Sequence, residues 1–128
     1  MHDKSIIDTF LHPKSVAVIG ASKNQMKGGY RIMKNLVSNN FHGNIYPINP
    51  NSSGEELFGL KIRNNIKDIE GDVDIAVFYV PNHLIPDLLE DCIEKKVKGA
   101  IIEASGFEEI GVEGQELKEK IVEITDNF

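Results

Sequence analysis

The chain has 128 residues and a net charge of −6, with 41% hydrophobic residues, 27% charged residues and one cysteine, Cys92. This length and composition predict one globular domain with its own hydrophobic core. The acidic balance argues against a nucleic-acid partner. The absence of any run of ~20 apolar residues argues against a membrane span, and a lone cysteine excludes an internal disulfide bond and is typical of the cytoplasm.

The first half of the chain predicts two strands that flank a helix. Ser15–Ile19 is a short β-branched apolar run that stops at Gly20, which is typical of a buried parallel strand. Apolar residues at helical spacing predict a helix over Gly28–Asn39. Asn44–Ile48 is the second predicted strand, and Pro50 ends it because proline cannot extend a hydrogen-bonded ladder.

The second half continues the alternation of strands and helices. Leu60–Arg63 is either a short strand or an irregular connection, whereas Val73–Val80 is a clear apolar strand. The apolar residues of Leu84–Ile93 lie on one helical face. Gly99–Glu103 is the last predicted strand, and a further amphipathic helix is expected after it.

This alternation predicts an α/β fold with right-handed crossovers and a parallel sheet. Ligands of such folds bind beyond the carboxyl ends of the strands. The segments expected at those ends are small, polar or glycine-containing: Gly20–Lys23, Asn49–Ser53, Pro81–His83 and Ala104–Phe107. The sequence therefore predicts a ligand crevice at this edge of the sheet.

A stretch without acidic residues surrounds the first of these segments. From Thr9 to Gly54 there is no Asp or Glu, and five Lys or Arg residues give the stretch a net charge of +5. Chance segregation of charge on a solvated surface is one explanation. The other is an anion site, because positive potential raises the local concentration of an anionic ligand.

The turn after the first strand has two interpretations. It is not a G-x-G-x-x-G motif, because Gly20 is followed by Ala21 and Ser22, and the next glycines are Gly28 and Gly29. If the loop binds a phosphate, Gly20 permits the tight turn, and Gly28 or Gly29 lets the backbone approach the ligand. Alternatively, it is an ordinary strand-to-helix turn whose glycines serve packing alone.

The end of the second strand bears on the choice of nucleotide. NAD-binding domains place a carboxylate there for the ribose hydroxyls, whereas this chain has Asn49-Pro50-Asn51. The absence of an acid counts against NAD. It favours a ligand with a phosphate on the adenosine ribose, which is a feature of both NADP and coenzyme A.

Five segments together resemble a known family. The segments HPKSVAVIGAS, NLVSNNFHGNIYPINPN, GLKI, VDIAVFYVP and CIEKKVKGAIIEASGFEEIG are similar to the N-terminal CoA-binding domain of the NDP-forming acyl-CoA synthetases. This family includes the ADP-forming acetate–CoA ligases and is related to the succinyl-CoA synthetase alpha subunit. The resemblance covers the chain from about Phe10 to about Gly114.

The resemblance implies a Rossmann-like parallel sheet with helices on both faces, in three layers. It also implies coenzyme A as the ligand, in an enzyme that turns an acid, CoA and a nucleoside triphosphate into acyl-CoA, nucleoside diphosphate and phosphate. The loop around the CoA phosphates would comprise Gly20, Ala21, Ser22 and Lys23, with Lys27 and Gly28 beyond it. The adenosine part would lie near Asn49, Pro50 and Asn51. Other contacts would come from Val80, Pro81 and Asn82 and, along the pantetheine path, from Glu103, Ala104, Ser105 and Gly106.

The family pattern also differs from this chain. Many members have a lysine at the position of Asn51, so Lys23, Lys27 or Arg31 are candidates to compensate at the 3′-phosphate. The phosphohistidine domain and the ATP-grasp domain of the family do not appear in this sequence, and neither a catalytic residue nor a metal site is predicted.

We therefore expect residues 1–128 to be a CoA-binding piece of a larger cytoplasmic ligase, inactive alone, whose remaining domains act in cis or in trans. An exposed docking edge would allow homo-oligomers. A stand-alone CoA- or nucleotide-binding module and an NADP-dependent Rossmann domain remain as alternatives.

Overall fold

The structure is a computed structural model that describes residues 11–102. The elements are, in chain order, β1 (Ser15–Ile19), α1 (Gly28–Ser38), β2 (Asn44–Ile48), β3 (Glu56–Leu57), β4 (Leu60–Lys61), β5 (Ile75–Phe78), α2 (Ile85–Lys95) and β6 (Gly99–Ile102). Short 3-10 turns occupy Pro50–Ser52, Ile66–Asp68 and Asn82–Leu84. The bounds of β1 and β2 match the sequence prediction, and α1 ends one residue earlier than predicted.

Four parallel strands form the main sheet in the order β2-β1-β5-β6. Val16 of β1 pairs with Ile45 on one side and with Ile75 on the other. The chain therefore moves from β1 to one neighbour and then crosses to the opposite side. The carboxyl ends of β1 and β5 flank this point of reversal, which is where open α/β sheets bind ligands.

Apolar side chains of the strands alternate between two cores, one on each face of the sheet. The core on the α2 face includes Ala17, Ile19, Ala76, Phe78, Ile85, Leu89 and Cys92. The core on the α1 face includes Val16, Val18, Ile75, Met33, Leu57 and Ile62. Both faces of the parallel sheet are covered, as predicted, because its strands are apolar on both sides.

The region Leu60–Arg63 is part strand and part connection. Glu56–Leu57 and Leu60–Lys61 form an antiparallel hairpin through a turn at Phe58-Gly59, where both residues have positive φ. Arg63 then forms a parallel bridge with Ile48. The sequence did not predict the hairpin, since a bulky Phe is an uncommon residue in the left-handed conformation that such a turn requires.

The strand predicted over Val73–Val80 is shorter at both ends. The Asp74 carboxylate accepts from the backbone N–H of Lys14 at 2.7 Å and lies 3.3 Å from Nζ of Lys98, so it joins the start of β5 to segments distant in the chain. At the other end the regular strand stops at Phe78, although the Tyr79 N–H still donates to the Ile19 carbonyl of β1 at 2.8 Å. The regular strand is Ile75–Phe78.

Several predictions concern residues outside 11–102. The end of the last strand at Glu103, the crevice segment Ala104–Phe107 and the final helix all lie outside the described residues. Within residues 11–102, none of the helices is long and apolar enough to cross a membrane.

Candidate functional site

A cleft of about 880 Å³ lies at the carboxyl ends of β1, β2 and β5. A cavity of this size accommodates a nucleotide-sized ligand. Its lining comes from Ile19, Gly20, Ser22, Lys27, Ile48, Asn49, Pro50, Asn51, Asn64, Asn65, Ile66, Tyr79, Val80, Pro81, Asn82, Leu84, Asp87 and Leu88. The predicted crevice therefore exists at the predicted edge.

The structure brings nine of the predicted site residues to this cleft. They are Gly20, Ser22, Lys27, Asn49, Pro50, Asn51, Val80, Pro81 and Asn82. In the part of the chain that the structure describes, three more lie beside the lining rather than in it: Ala21, Lys23 and Gly28. The remaining four, Glu103, Ala104, Ser105 and Gly106, lie outside the described residues.

Gly20 makes the sharp turn out of β1. Its φ is +98°, and a Cβ at this position would lie 2.0 Å from the carbonyl oxygen of Tyr79. Its N–H donates to the carbonyl of Ile48 at 2.9 Å. Gly20 is therefore required by the backbone conformation and by the neighbouring chain, whether or not a ligand is present.

Ala21 and Asn49 join the two loops that meet at the cleft. The Ala21 side chain is fully buried in the core on the α1 face. Its carbonyl accepts from Nδ2 of Asn49 at 2.8 Å, and Oδ1 of Asn49 accepts from the backbone N–H of Asn51 at 2.9 Å. Both ends of the Asn49 amide are thus bonded within the chain, and they fix the shape of the cleft floor.

Helix α1 begins beside the cleft with a backbone suited to an anion. Its first residues are Gly28 and Gly29, its first turn contains no acid, and no side chain of the described residues caps it. A Cβ on Gly29 would lie 1.9 Å from the Gly20 carbonyl oxygen. The small residues let the helix start approach the turn, and the first N–H groups of a helix favour negative charge.

The lysines of the acid-free stretch differ in what surrounds them. Lys27 lines the cleft next to the start of α1. Lys23, expected near the phosphates, forms an ion pair with Glu55 at 2.9 Å, and both side chains are about half exposed. Among the lining residues that the structure describes, the one carboxylate is Asp87, on the wall formed by α2. The positive side of the cleft is therefore the α1 side.

One wall of the cleft was missed by the sequence analysis. It consists of Asn64, Asn65, Ile66, Leu84, Asp87 and Leu88. Tyr79, which lines the cleft at its α1 end, was missed as well. Asn65 is held in place, since its Nδ2 donates to Asp91 at 3.2 Å and its Oδ1 accepts from the N–H of Lys67. The sequence did contain a signal for this wall, the polar pair Asn64-Asn65 that follows the predicted element Leu60–Arg63. Because Arg63 forms a parallel bridge with Ile48, this pair lies at the same edge as the end of β2.

The described residues offer little for metal or nucleophilic chemistry. Among residues 11–102 there is no cluster of three or more His, Cys, Asp or Glu that could hold a metal ion. Burial raises the pKa of the Cys92 thiol to about 12, and the charge of Asp91 adds to the rise. Cys92 is therefore protonated at neutral pH and is an inert core residue.

The parallel sheet with a reversal beside β1, the tight glycine turn and the uncapped helix start define a Rossmann-like nucleotide-binding domain. The comparison with known families is more specific. The chain belongs to the CoA binding domain family CoA_binding_2, which matches residues 14–125. Coenzyme A is therefore the ligand of its family.

The relatives are large CoA ligases. The chain is 50% identical over 117 residues to the ADP-forming acetate–CoA ligase of Methanocaldococcus jannaschii. The matched region covers 91% of this chain and 16% of that protein. It is 42% identical over 124 residues to the alpha subunit of the ADP-forming acetate–CoA ligase I of Pyrococcus furiosus. That match covers 95% of this chain and 27% of the subunit. The chain thus spans about a sixth to a quarter of the length of these relatives.

Solved structures agree with this family. The dinucleotide-forming acetyl-coenzyme A synthetase 1 of Ca. Korarchaeum cryptofilum, in complex with phosphate and ADP, matches with a TM-score of 0.86 and 38% identity, covering 94% of this chain and 25% of that one. A conserved hypothetical protein from Pyrococcus furiosus matches with a TM-score of 0.69 and 29% identity, covering 88% of both chains. The predicted family and the predicted Rossmann-like fold are confirmed.

Proposed function

We propose that this chain is the CoA-binding domain of an NDP-forming acyl-CoA synthetase, in which acid, CoA and nucleoside triphosphate give acyl-CoA, nucleoside diphosphate and phosphate. The observation that carries the proposal is the cleft at the reversal point, with an uncapped helix start and no acid at the end of β2. Its family membership and the CoA ligases among its relatives support the same function.

We propose an orientation for the ligand from the charge of the two walls. The pyrophosphate lies against Gly20, Ser22 and the start of α1, with Lys27 as its cation. The α2 wall is unsuitable for phosphates because Asp87 repels them. The adenosine part lies along Asn49-Pro50-Asn51, and the pantetheine passes Val80-Pro81-Asn82 toward residues 103–106.

The end of β2 favours CoA over NAD. A ribose-binding carboxylate would stand at this strand end in an NAD site, but the side chain there is Asn49, whose amide is already bonded to Ala21 and Asn51. A neutral strand end leaves room for the 3′-phosphate of CoA. Lys27 and Arg31 are the nearby cations that we propose in place of a lysine at residue 51, since Lys23 is paired with Glu55.

Titration calorimetry with CoA, acetyl-CoA, NAD and NADP tests the ligand. We expect CoA and acetyl-CoA to bind more tightly than either nicotinamide nucleotide. The affinity should fall as salt is raised, because exposed phosphate contacts are screened. Tighter binding of NAD than of CoA would contradict the proposal.

We infer that this domain acts with the remaining ligase domains, in cis or as a second subunit, because the relatives include both long single chains and an alpha subunit. We place the protein in the cytoplasm, where CoA and nucleoside triphosphates are available. The 128-residue chain incubated with acetate, CoA and ATP should form no acetyl-CoA above background. Turnover by this chain alone would contradict the assigned role.

A stand-alone CoA-binding module is the second candidate. One structural relative matches this chain over 88% of both lengths, so a protein of this size with this fold exists by itself. The surrounding reading frame discriminates between the two candidates. A phosphohistidine domain and an ATP-grasp domain encoded in the same chain or in an adjacent gene support the ligase, and their absence supports the module.

A further inference from the structure

Tyr79 lies at the end of the cleft where α1 begins, and its backbone is held from two sides. Its N–H donates to the Ile19 carbonyl at 2.8 Å, which ties it to the end of β1. Its own carbonyl oxygen fills the space that a Cβ on Gly20 would need. Any movement of Tyr79 therefore belongs to its side chain.

The Tyr79 ring covers the first residue of α1. Ile75 and Val77 of β5 face the α1 side of the sheet, and strand alternation places Tyr79 on the same side. A Cβ on Gly28 would lie 2.3 Å from Cζ and 2.4 Å from Cε2 of Tyr79. The far end of the ring therefore lies directly on the Gly28 backbone, where the free N–H groups of the helix begin.

The Tyr79 ring lies beside the groups that would bind a phosphate. The N–H groups at the start of α1 are the donors to which an anion would bind, and the ring packs against Gly28, the first residue of that helix. Tyr79 is 39% exposed. Exposed side chains change rotamer on the picosecond-to-nanosecond scale, so a turn of this ring requires no movement of the backbone.

We propose that Tyr79 is a movable cover that controls access of the CoA pyrophosphate to the start of α1; this inference rests on the proposed function. In the ligand-free chain the ring lies on Gly28. The pyrophosphate reaches the N–H groups when the ring turns away. The apparent affinity for CoA is then reduced by the fraction of molecules in which the cover is open.

Fluorine NMR reports the position of the ring. The chain has three tyrosines, so labelling with 3-fluorotyrosine gives three signals, and Tyr79→Phe identifies that of Tyr79. Saturating CoA should shift the Tyr79 signal. Gly28→Ala should shift it without ligand, because the added Cβ displaces the ring while an alanine is well tolerated at the helix start.

Calorimetry with CoA tests whether the ring opposes binding. An open state populated to about 10% predicts about tenfold tighter binding by Tyr79→Ala, whereas Tyr79→Phe, which keeps the ring, should bind as the unaltered chain does. Thermal melts establish that each variant is folded, and Tyr79→Leu, which also lacks the ring, is measured in its place if Tyr79→Ala is not folded.

The possible failures are distinguishable. If the unaltered chain binds CoA but Tyr79→Ala binds it equally or more weakly, the ring is a wall of the site and the cover is disproved. The same conclusion follows if CoA binds without a shift of the Tyr79 signal. If the unaltered chain and every folded variant fail to bind CoA, the proposed function itself is wrong.

Discussion

The side chain of Asn49 donates to the carbonyl oxygen of Ala21 at 2.8 Å and so connects the end of β2 to the glycine turn after β1. Its other end accepts from the N–H of Asn51. One amide thus positions both loops that form the floor of the cleft. The same amide occupies the strand end at which an NAD-binding domain has its carboxylate.

Replacing Asn49 should separate the structural role of its amide from the effect that a charge at this strand end has on CoA binding. Asn49→Ala leaves the Ala21 carbonyl without its partner and should lower the free energy of unfolding by about 1–3 kcal/mol. Asn49→Asp should weaken CoA binding further than Asn49→Ala does, because a carboxylate near the phosphates repels them. Denaturant titration and calorimetry measure the two effects. Asn35→Asp, which adds the same charge to an exposed position of α1, should leave CoA binding unchanged.

Gly20 should tolerate no side chain, even without ligand. Its φ is +98°, and a Cβ would lie 2.0 Å from the Tyr79 carbonyl oxygen, so Gly20→Ala should cost about 3 kcal/mol or more of stability. Gly71→Ala is the matched control, since Gly71 has a φ of +91° but no described atom within 4 Å of its would-be Cβ. Gly71→Ala should lower the free energy of unfolding by about 1–2 kcal/mol, which is the cost of the positive φ without a steric clash. Equal losses for the two variants in thermal melts would show that the contact with Tyr79 is unimportant.

The two lysines of the glycine loop should contribute unequally to CoA binding. Lys27 lines the cleft, whereas Lys23 is paired with Glu55 on the exposed surface. Lys27→Ala should weaken CoA binding about fivefold, as expected for one exposed charge-assisted contact. Lys23→Ala should have a smaller effect, and Lys34→Ala, on the exposed face of α1, should have none. If calorimetry shows a larger loss of CoA affinity for Lys23→Ala than for Lys27→Ala, the phosphates bind on the Glu55 side of the loop and the proposed orientation is wrong.

Cys92 should make stability fall at high pH. Burial raises the pKa of its thiol from 9.0 to about 12 in the folded chain, so the unfolded chain loses this proton first. The contribution is present in full below pH 9 and is lost as the pH rises from about 9 toward 12. Denaturant titrations of the unaltered chain and of Cys92→Ala measure it as a difference. The stability of Cys92→Ala should decline less steeply above pH 9, and parallel declines would contradict the raised pKa.

The sequence by itself determined the architecture. Short β-branched runs that alternate with helical segments pack stably as a parallel sheet covered on both faces. The same local patterns predicted the bounds of β1 and β2 to the residue. The same pattern placed the ligand cleft at the carboxyl ends of the strands, where nine of the predicted residues line it. These features follow from local periodicity, which a single sequence displays directly.

The tertiary structure decided what each residue of the site does. Gly20 and Gly28 look like phosphate-binding glycines in the sequence, and the structure shows that both also lie against Tyr79, which is about fifty to sixty residues away along the chain. Lys23 looks like a phosphate ligand, yet Glu55 pairs with it. The wall at Asn64–Ile66 depends on a bridge between Arg63 and Ile48. Such contacts join residues distant in sequence, and their geometry is set by how the helices and loops pack on the sheet, which local patterns do not specify.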